Sequence, residues 1–274
     1  MNDSMSEENN LFSQALACLK IKEPVEKVNA VYDLQNRWSG GELLLDKLSK
    51  VPSLPVPGRP DKPELVDPKK VPKRNFINPQ GRLSLVHAIA HIEFNAINLA
   101  LDAVYRFQDM PEQYYTDWIR VAAEEADHFT MLSDYLTEHG VSYGDMPAHN
   151  GLWEMAVKTD QDVLIRMALV PRVVEARGLD VTPTMIEKLK PTGDTQLISA
   201  LKKIFDEEIG HVKIGTHWFK TLCEERGLDS EQTFLVLIDK YMSGARFGPF
   251  ETEARLEAGF TAEEMQRLLN LYTS

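Results

Sequence analysis

Glu124-Glu125-Ala126-Asp127-His128-Phe129 and Asp206-Glu207-Glu208-Ile209-Gly210-His211-Val212 carry one chemical pattern twice: a glutamate followed three residues later by a histidine. Both lie in long runs whose apolar residues recur at three- and four-residue intervals, the signature of an amphipathic helix. On a helix that spacing sets the two side chains about 60° apart around the axis and roughly 4.5 Å apart along it. A carboxylate oxygen and an imidazole nitrogen placed this way can reach one metal ion. A single such pair in an acidic helical protein carries little weight, so the surroundings of the two pairs decide the matter.

The periodicity predicts four long helices, over residues 82–108, 112–139, 160–177 and 194–226. Pro111 suits the first turn of the second and Gly140 sits just past its end. Gly178 is expected to close the third, with Pro183 and Pro191 punctuating the link to the fourth. Glu93 falls in the middle of the stripe Val86, Ile89, Ala90, Ile97, Ala100 and Val104. Glu125 falls in the stripe Trp118, Val121, Ala122, Phe129, Leu132 and Leu136, with His128 at its edge. A one-residue phase error would turn Glu124 inward in its place. Glu175 shares a face with Leu164, Met167, Ala168 and Pro171. Glu208 lies among Leu201, Ile204, Phe205, Val212, Gly215 and Phe219, with His211 three residues on.

Four helices thus each aim one carboxylate at the core, and two add a histidine. An isolated buried carboxylate is costly and stays neutral or finds a partner. Four together repel unless cations compensate them, and two divalent ions would balance the charge. The spacing agrees: Glu93 and Glu125 are 32 residues apart, Glu175 and Glu208 are 33 apart, and 50 residues join the halves. Each half is a helical hairpin giving one Glu from its first helix and Glu-x-x-His from its second. That arrangement belongs to ferritin-like di-iron or di-manganese carboxylate bundles. The expected fold is therefore all-α: a ferritin-like four-helix bundle over residues 81–227, after an N-terminal helical segment (1–50) and a Pro-rich arm (51–80), and before a C-terminal helical extension (228–274).

The arm holds eight of the fifteen prolines, a density that blocks helices and central strands, while Leu54, Val56 and Leu65 suit it to lying on a surface. Helices are expected over residues 11–20 and 24–38 before it. The extension is expected to hold helices over residues 230–242 and 261–271 around a turn at 244–249. His87 and His91, spaced i, i+4, flank the stripe away from Glu93. Together with Arg172 and Arg177 near Glu175 they are outer-shell candidates, the alternatives being a surface position for the histidines and, as the default, a solvated face for the arginines. His217 is expected at the surface; Tyr105, Trp118 and Trp153 are expected in the core. The turn-rich stretch from Tyr143 to Trp153, with Asp145 and His149, reads either as a crossover loop or as a lid.

Lys and Arg total 30 against 42 Asp and Glu, a formal charge of -12, which disfavours a broad polyphosphate-tracking surface. Cys18 and Cys223 cannot build a disulfide framework or a Cys-based zinc site and read as buried thiols. No apolar run approaches the roughly 18 residues of a membrane span. Residues 1–8 lack the basic start and apolar core of a signal peptide, so the expected home is the cytoplasm.

Several stretches also resemble a bacterial ferritin-like family of unknown function. They are His87-Ala88-Ile89-Ala90-His91-Ile92-Glu93, the segments around Glu125 and Glu208 quoted above, residues 143–154, and Leu169-Val170-Pro171-Arg172-Val173-Val174-Glu175-Ala176-Arg177-Gly178-Leu179-Asp180. The likeness runs from about Gly81 to the C-terminus. Residue by residue it implies the same six ligands: Glu93, Glu125, His128, Glu175, Glu208 and His211. A more distant similarity is to ferritin-like tRNA hydroxylases, which are di-iron oxygenases.

The reading that follows is a dinuclear metal protein with iron first and manganese second, acting as an O2- or peroxide-dependent oxidoreductase on an unassigned small-molecule substrate with an unassigned electron donor. Glu125 and Glu208 are the bridging candidates, Glu93 and Glu175 the terminal carboxylates. Two alternatives stand beside it: non-enzymatic metal binding or storage, and RNA modification, which the net charge disfavours. No membrane partner is expected, and a homo-oligomer is compatible with the sequence.

Overall fold

The computed structural model describes residues 8–71, 76–243 and 248–273. It is all-helical, and the described residues contain no strand, only isolated bridges at Asn10–Leu44 and Leu65–Ala148. No helix among them is long and apolar enough to cross a membrane. The chain divides into two compact units, residues 1–160 and 161–274.

In the first unit, α1 (Leu11–Lys20) starts where the Asn10 side chain accepts the Ser13 N–H, and α2 (Pro24–Ser39) starts with proline at its first position. α3 (Pro79–Arg106) begins three residues earlier than the apolar pattern indicates. Pro79 belongs to its first turn rather than to the arm, with Asn78 capping the Gln80 N–H. α4 (Glu112–Glu138) begins just after Pro111, and Gly140, at φ 74°, turns the chain away from its end. α3 and α4 form the central pair, α1 packs on α3, and α2 packs on α4.

Lys27 of α2 is fully buried: its ammonium donates to the carbonyls of Cys18 and Leu19, ending α1, and to Asn98 Oδ1 of α3 at 2.6 Å. The described part of the Pro-rich stretch is strapped down. Gly58 donates its N–H to Leu19 O at 2.8 Å, Val66 donates to Ala148 O while Ala148 donates to Glu64 O, and the Trp153 indole donates to Leu54 and Pro55 carbonyls. Pro72 lies outside the described residues. The stretch read from sequence as loop ends in a further helix, α5 (Gly151–Lys158), because Trp153, Met155 and Ala156 bury one face of it.

The second unit departs most from the periodic reading. The helix expected over 160–177 starts at Val163, where Asp162 caps the Leu164 N–H. It runs as α6 (Val163–Leu169) into a π turn (Val170–Glu175) and continues as α7 (Ala176–Leu189). Gly178 does not close it, and Pro183 lies inside it: Leu179, Thr182, Ile186 and Leu189 form a buried stripe whose packing outweighs the local breakers. After a 3-10 turn at Lys190–Thr192 comes α8 (Thr195–Glu225), capped by Asp194.

Then follow α9 (Ser230–Met242), α10 (Thr252–Glu257), which the sequence pattern does not reveal, and α11 (Ala262–Thr273). The turn expected at 244–249 falls on residues 244–247, which lie outside the described residues. Cys18 and Cys223 are free and buried.

At Gly215 the α8 backbone meets the π turn so closely that a Cβ would stand 2.2 Å from the Pro171 ring. Both elements are buried there, so neither can retreat into solvent. Gly215→Ala should lower unfolding free energy by about 2–3 kcal/mol. A chemical melt no worse than that of wild type would mean that the contact is slack.

Candidate metal centre

On α3, Val86, Ile89, Ala90, Ile97, Ala100 and Val104 are all buried, and Glu93 is buried among them at 3 % exposure. On α4, Glu125 and His128 are buried at 1 % and 0 %, while Glu124 is only half-buried and Asp127 faces outward to accept the Tyr32 hydroxyl. The inward residue of the Glu124-Glu125 pair is therefore Glu125. His128 Nδ1 lies 3.3 Å from Glu93 Oε2 and 3.3 Å from Glu125 Oε2. Glu93, Glu125 and His128 each offer one ligand atom, and these lie within 4.8 Å of one another. Two carboxylates and an imidazole, buried and convergent, can hold a metal ion.

The electrostatics fit that use. Burial, followed by the neighbouring Glu125, raises the Glu93 carboxyl well above its ordinary range. Burial opposes charge on His128, but its hydrogen bonds to Glu125 and Glu93 lift it to about 11. Without a cation the cluster therefore keeps protons at neutral pH to relieve its own repulsion, and a metal ion would take the place of those protons.

The second unit holds the corresponding set. Glu208 and His211 are buried on α8, with His211 Nδ1 3.8 Å from Glu208 Oε1. Glu175, also buried, ends the π turn. π turns are rare, and they frequently mark functional sites.

The four outer-shell candidates have other partners. His87 accepts the Gly144 N–H at 2.9 Å through Nε2. His91 Nδ1 pairs with the Tyr143 hydroxyl at 2.9 Å, and its Nε2 with the His149 carbonyl at 3.1 Å. A carbonyl can only accept, so the His149 contact calls for a proton on Nε2, the nitrogen that the Asn95 amide also approaches at 3.1 Å. Both histidines thus pin the 141–150 loop against α3, and Tyr143 packs on Phe94 and Phe129 beside the ligand positions. Arg172 pairs with Glu264, and Arg177 with Asp180. His217 is exposed, as its spacing indicates.

Burial holds His87 below its ordinary pKa, and holds His91 down to about 4. A histidine whose folded pKa is lowered contributes stability above its unfolded value near 6.5 and loses it as pH falls toward the folded value. The stability of wild type relative to a His91→Gln variant should accordingly shrink as pH drops from about 6.5 to 4. Parallel stability curves over that range would remove the histidines from the loop's anchoring.

The chain matches, over residues 20–266, the family described as "Protein of unknown function (DUF455)". It belongs to the DUF455 family. The match begins well upstream of Gly81, so α2 and the Pro-rich arm lie inside the DUF455 boundaries. An uncharacterised protein of Haemophilus influenzae is 44 % identical over 265 residues, covering 93 % of this chain and 92 % of that protein. No solved structure matches the chain.

Proposed function

We propose that this DUF455 protein is ferritin-like, and that α3, α4, the α6–α7 segment and α8 form its four-helix bundle around one dinuclear metal centre. Glu93, Glu125 and His128 would hold one ion, and Glu175, Glu208 and His211 the other. Glu125 and Glu208 would be the carboxylates shared by both, and Glu93 and Glu175 would each serve one. The observation that carries this reading is the convergence of Glu93, Glu125 and His128 within 4.8 Å in a buried, self-repelling cluster. The same ligand pattern recurs at Glu175, Glu208 and His211.

Iron in such a donor set supplies one-electron redox chemistry toward O2 or peroxide, and manganese is the second candidate. The chain's own contribution is to exclude water and to hold the carboxylates. The apolar stripes of α3 and α4 do the first, and the half-buried Tyr143 with the buried Phe94 and Phe129 walls the ligand positions. Helix backbones fixed by packing do the second. On this reading the protein is an oxidoreductase whose substrate is a small molecule.

The test is metal content per chain after expression in iron-rich medium, followed by the near-ultraviolet spectrum of anaerobically reduced protein on exposure to O2. About two irons per chain with an oxygen-dependent spectral change is the expected result. Two metals with no response to O2 or peroxide would favour a structural or storage role. No stoichiometric metal after reconstitution would overturn the centre itself.

A further inference from the structure

The second unit contains two buried ion pairs that the metal chemistry does not use, and both fasten a C-terminal helix to the segment carrying Glu175. In the first, Arg172, fully buried inside the π turn, donates through Nη2 to Glu264 Oε1 at 2.5 Å. Its guanidinium carbon lies 4.7, 4.0 and 4.5 Å from the ring centres of Phe219, Phe234 and Phe260. Its Nε and Nη1 have no hydrogen-bond partner among the described residues, and the three aromatic rings surround the cation in their stead.

Glu264 does two tasks at once. Its Oε2 accepts the Thr261 N–H at 2.8 Å while the Thr261 hydroxyl accepts the Glu264 N–H at 3.0 Å, a complete capping box for α11. The Thr261 hydroxyl donates in turn to Glu231 of α9. The counter-ion of Arg172 is thus the residue that starts the last helix.

The second pair lies on the other side of Glu175. Arg255 of α10, 3 % exposed, makes two 2.8 Å bonds to Asp180 of α7 and reaches the Ala176 carbonyl at 3.4 Å. Phe260 packs on this guanidinium as well, 5.1 Å from its carbon. Glu175 therefore sits between one clamp three residues before it and another that grips the residue immediately after it.

A π turn is intrinsically weaker than the α-helix it interrupts. A buried ion pair is a poor device for stability alone, since an apolar replacement of similar volume often does as well or better. What it does supply is direction, because a guanidinium held by a carboxylate and three ring faces has one position. We propose that Arg172 is a positioning residue for Glu175, anchored by Glu264. The C-terminal helices α9–α11 then act as a clamp that sets the metal affinity of the Glu175/His211 side. This rests on the dinuclear reading above.

The experiment titrates manganese(II) into metal-free protein and counts free ion by its paramagnetic resonance, with each binding step assigned through His128→Ala and His211→Ala. Glu264→Gln and Arg172→Met should weaken the step assigned to the His211 side by roughly 10-fold or more and leave the His128 side unchanged. Leu237→Ala, which thins the core under α9 without touching the clamp, should lower the melting temperature and leave both steps intact. The double variant Arg172→Met/Glu264→Met should regain melting temperature but not affinity.

Restored affinity in the double variant would overturn the inference, since packing alone would then suffice. Equal weakening of both steps by the single variants, or of neither, would overturn it too while leaving the metal centre standing. A wild-type chain that takes up no manganese and no iron would remove the centre and this inference together.

Discussion

Glu125→Gln should strip the protein of most of its metal, lowering affinity at least 100-fold, while leaving the metal-free fold about as stable as wild type or more so. The two halves of that expectation have one cause. Glu125 is buried at 1 % exposure beside Glu93, and the pair raises the Glu93 carboxyl well above its ordinary range. A neutral amide of the same shape removes one member of a repelling pair and leaves Glu93 as the carboxylate that faces the His128 imidazole, 3.3 Å away, so the fold loses nothing comparable to a core truncation.

The metal loses an anionic oxygen that no neighbour can replace. His211→Gln should act in the same direction on the other side, whereas His217→Ala, on the exposed face of the same helix, should bind metal as wild type does. Metal content by elemental analysis and denaturant melts of the metal-free variants check both halves. Undiminished metal in Glu125→Gln and His211→Gln would sink the ligand assignment. A loss of several kcal/mol in metal-free Glu125→Gln would show that Glu125 serves the fold rather than an ion.

Residues whose burial depends on helix phase were legible from the chain alone. Glu125 rather than Glu124 faces inward because Trp118, Val121, Ala122, Phe129 and Leu132 fix the phase of α4 over several turns. The repeated Glu-x-x-His needed only a period of 3.6 residues to be read. Breakers misled where tertiary packing overrode them. Gly178 and Pro183 look like a helix end, yet α7 continues through both because its other face is buried.

The π turn at Val170–Glu175 is invisible to a periodic pattern, which takes Pro171 as one more residue of the stripe. Least legible was the fate of Arg172. Its nearness to Glu175 in sequence suggested a local partnership, but its carboxylate is Glu264, 92 residues away. The Thr261-x-x-Glu264 spacing is that of a capping box, which marks a helix start rather than a counter-ion.

Metal uptake should also release protons, and in a number that the first unit sets. His128 is lifted to about 11 by its two carboxylates, and burial with Glu125 holds Glu93 well above the carboxylate range. At neutral pH the metal-free imidazole accordingly carries a proton, and the Glu93 carboxyl keeps its own to higher pH than an ordinary carboxyl does. A ligating imidazole must present a lone pair, and a ligating carboxylate its charge, so an incoming ion displaces whatever protons they hold. Calorimetric titration with manganese(II) in two buffers of different ionisation enthalpy should find at least about one proton released for the ion on the His128 side.

The sign of the pH dependence follows. Protons compete with the metal, so affinity falls as pH falls, by about 10-fold per pH unit while the imidazole alone is protonated in the metal-free state. The slope should steepen below the pH at which Glu93 takes up a proton unaided. In Glu93→Gln the count should not exceed about one, because only the His128 proton remains to be displaced. Release of no protons, with affinity flat between about pH 6 and 8, would mean that the three side chains are not the groups a metal displaces. Their burial together would then need a purely structural cause.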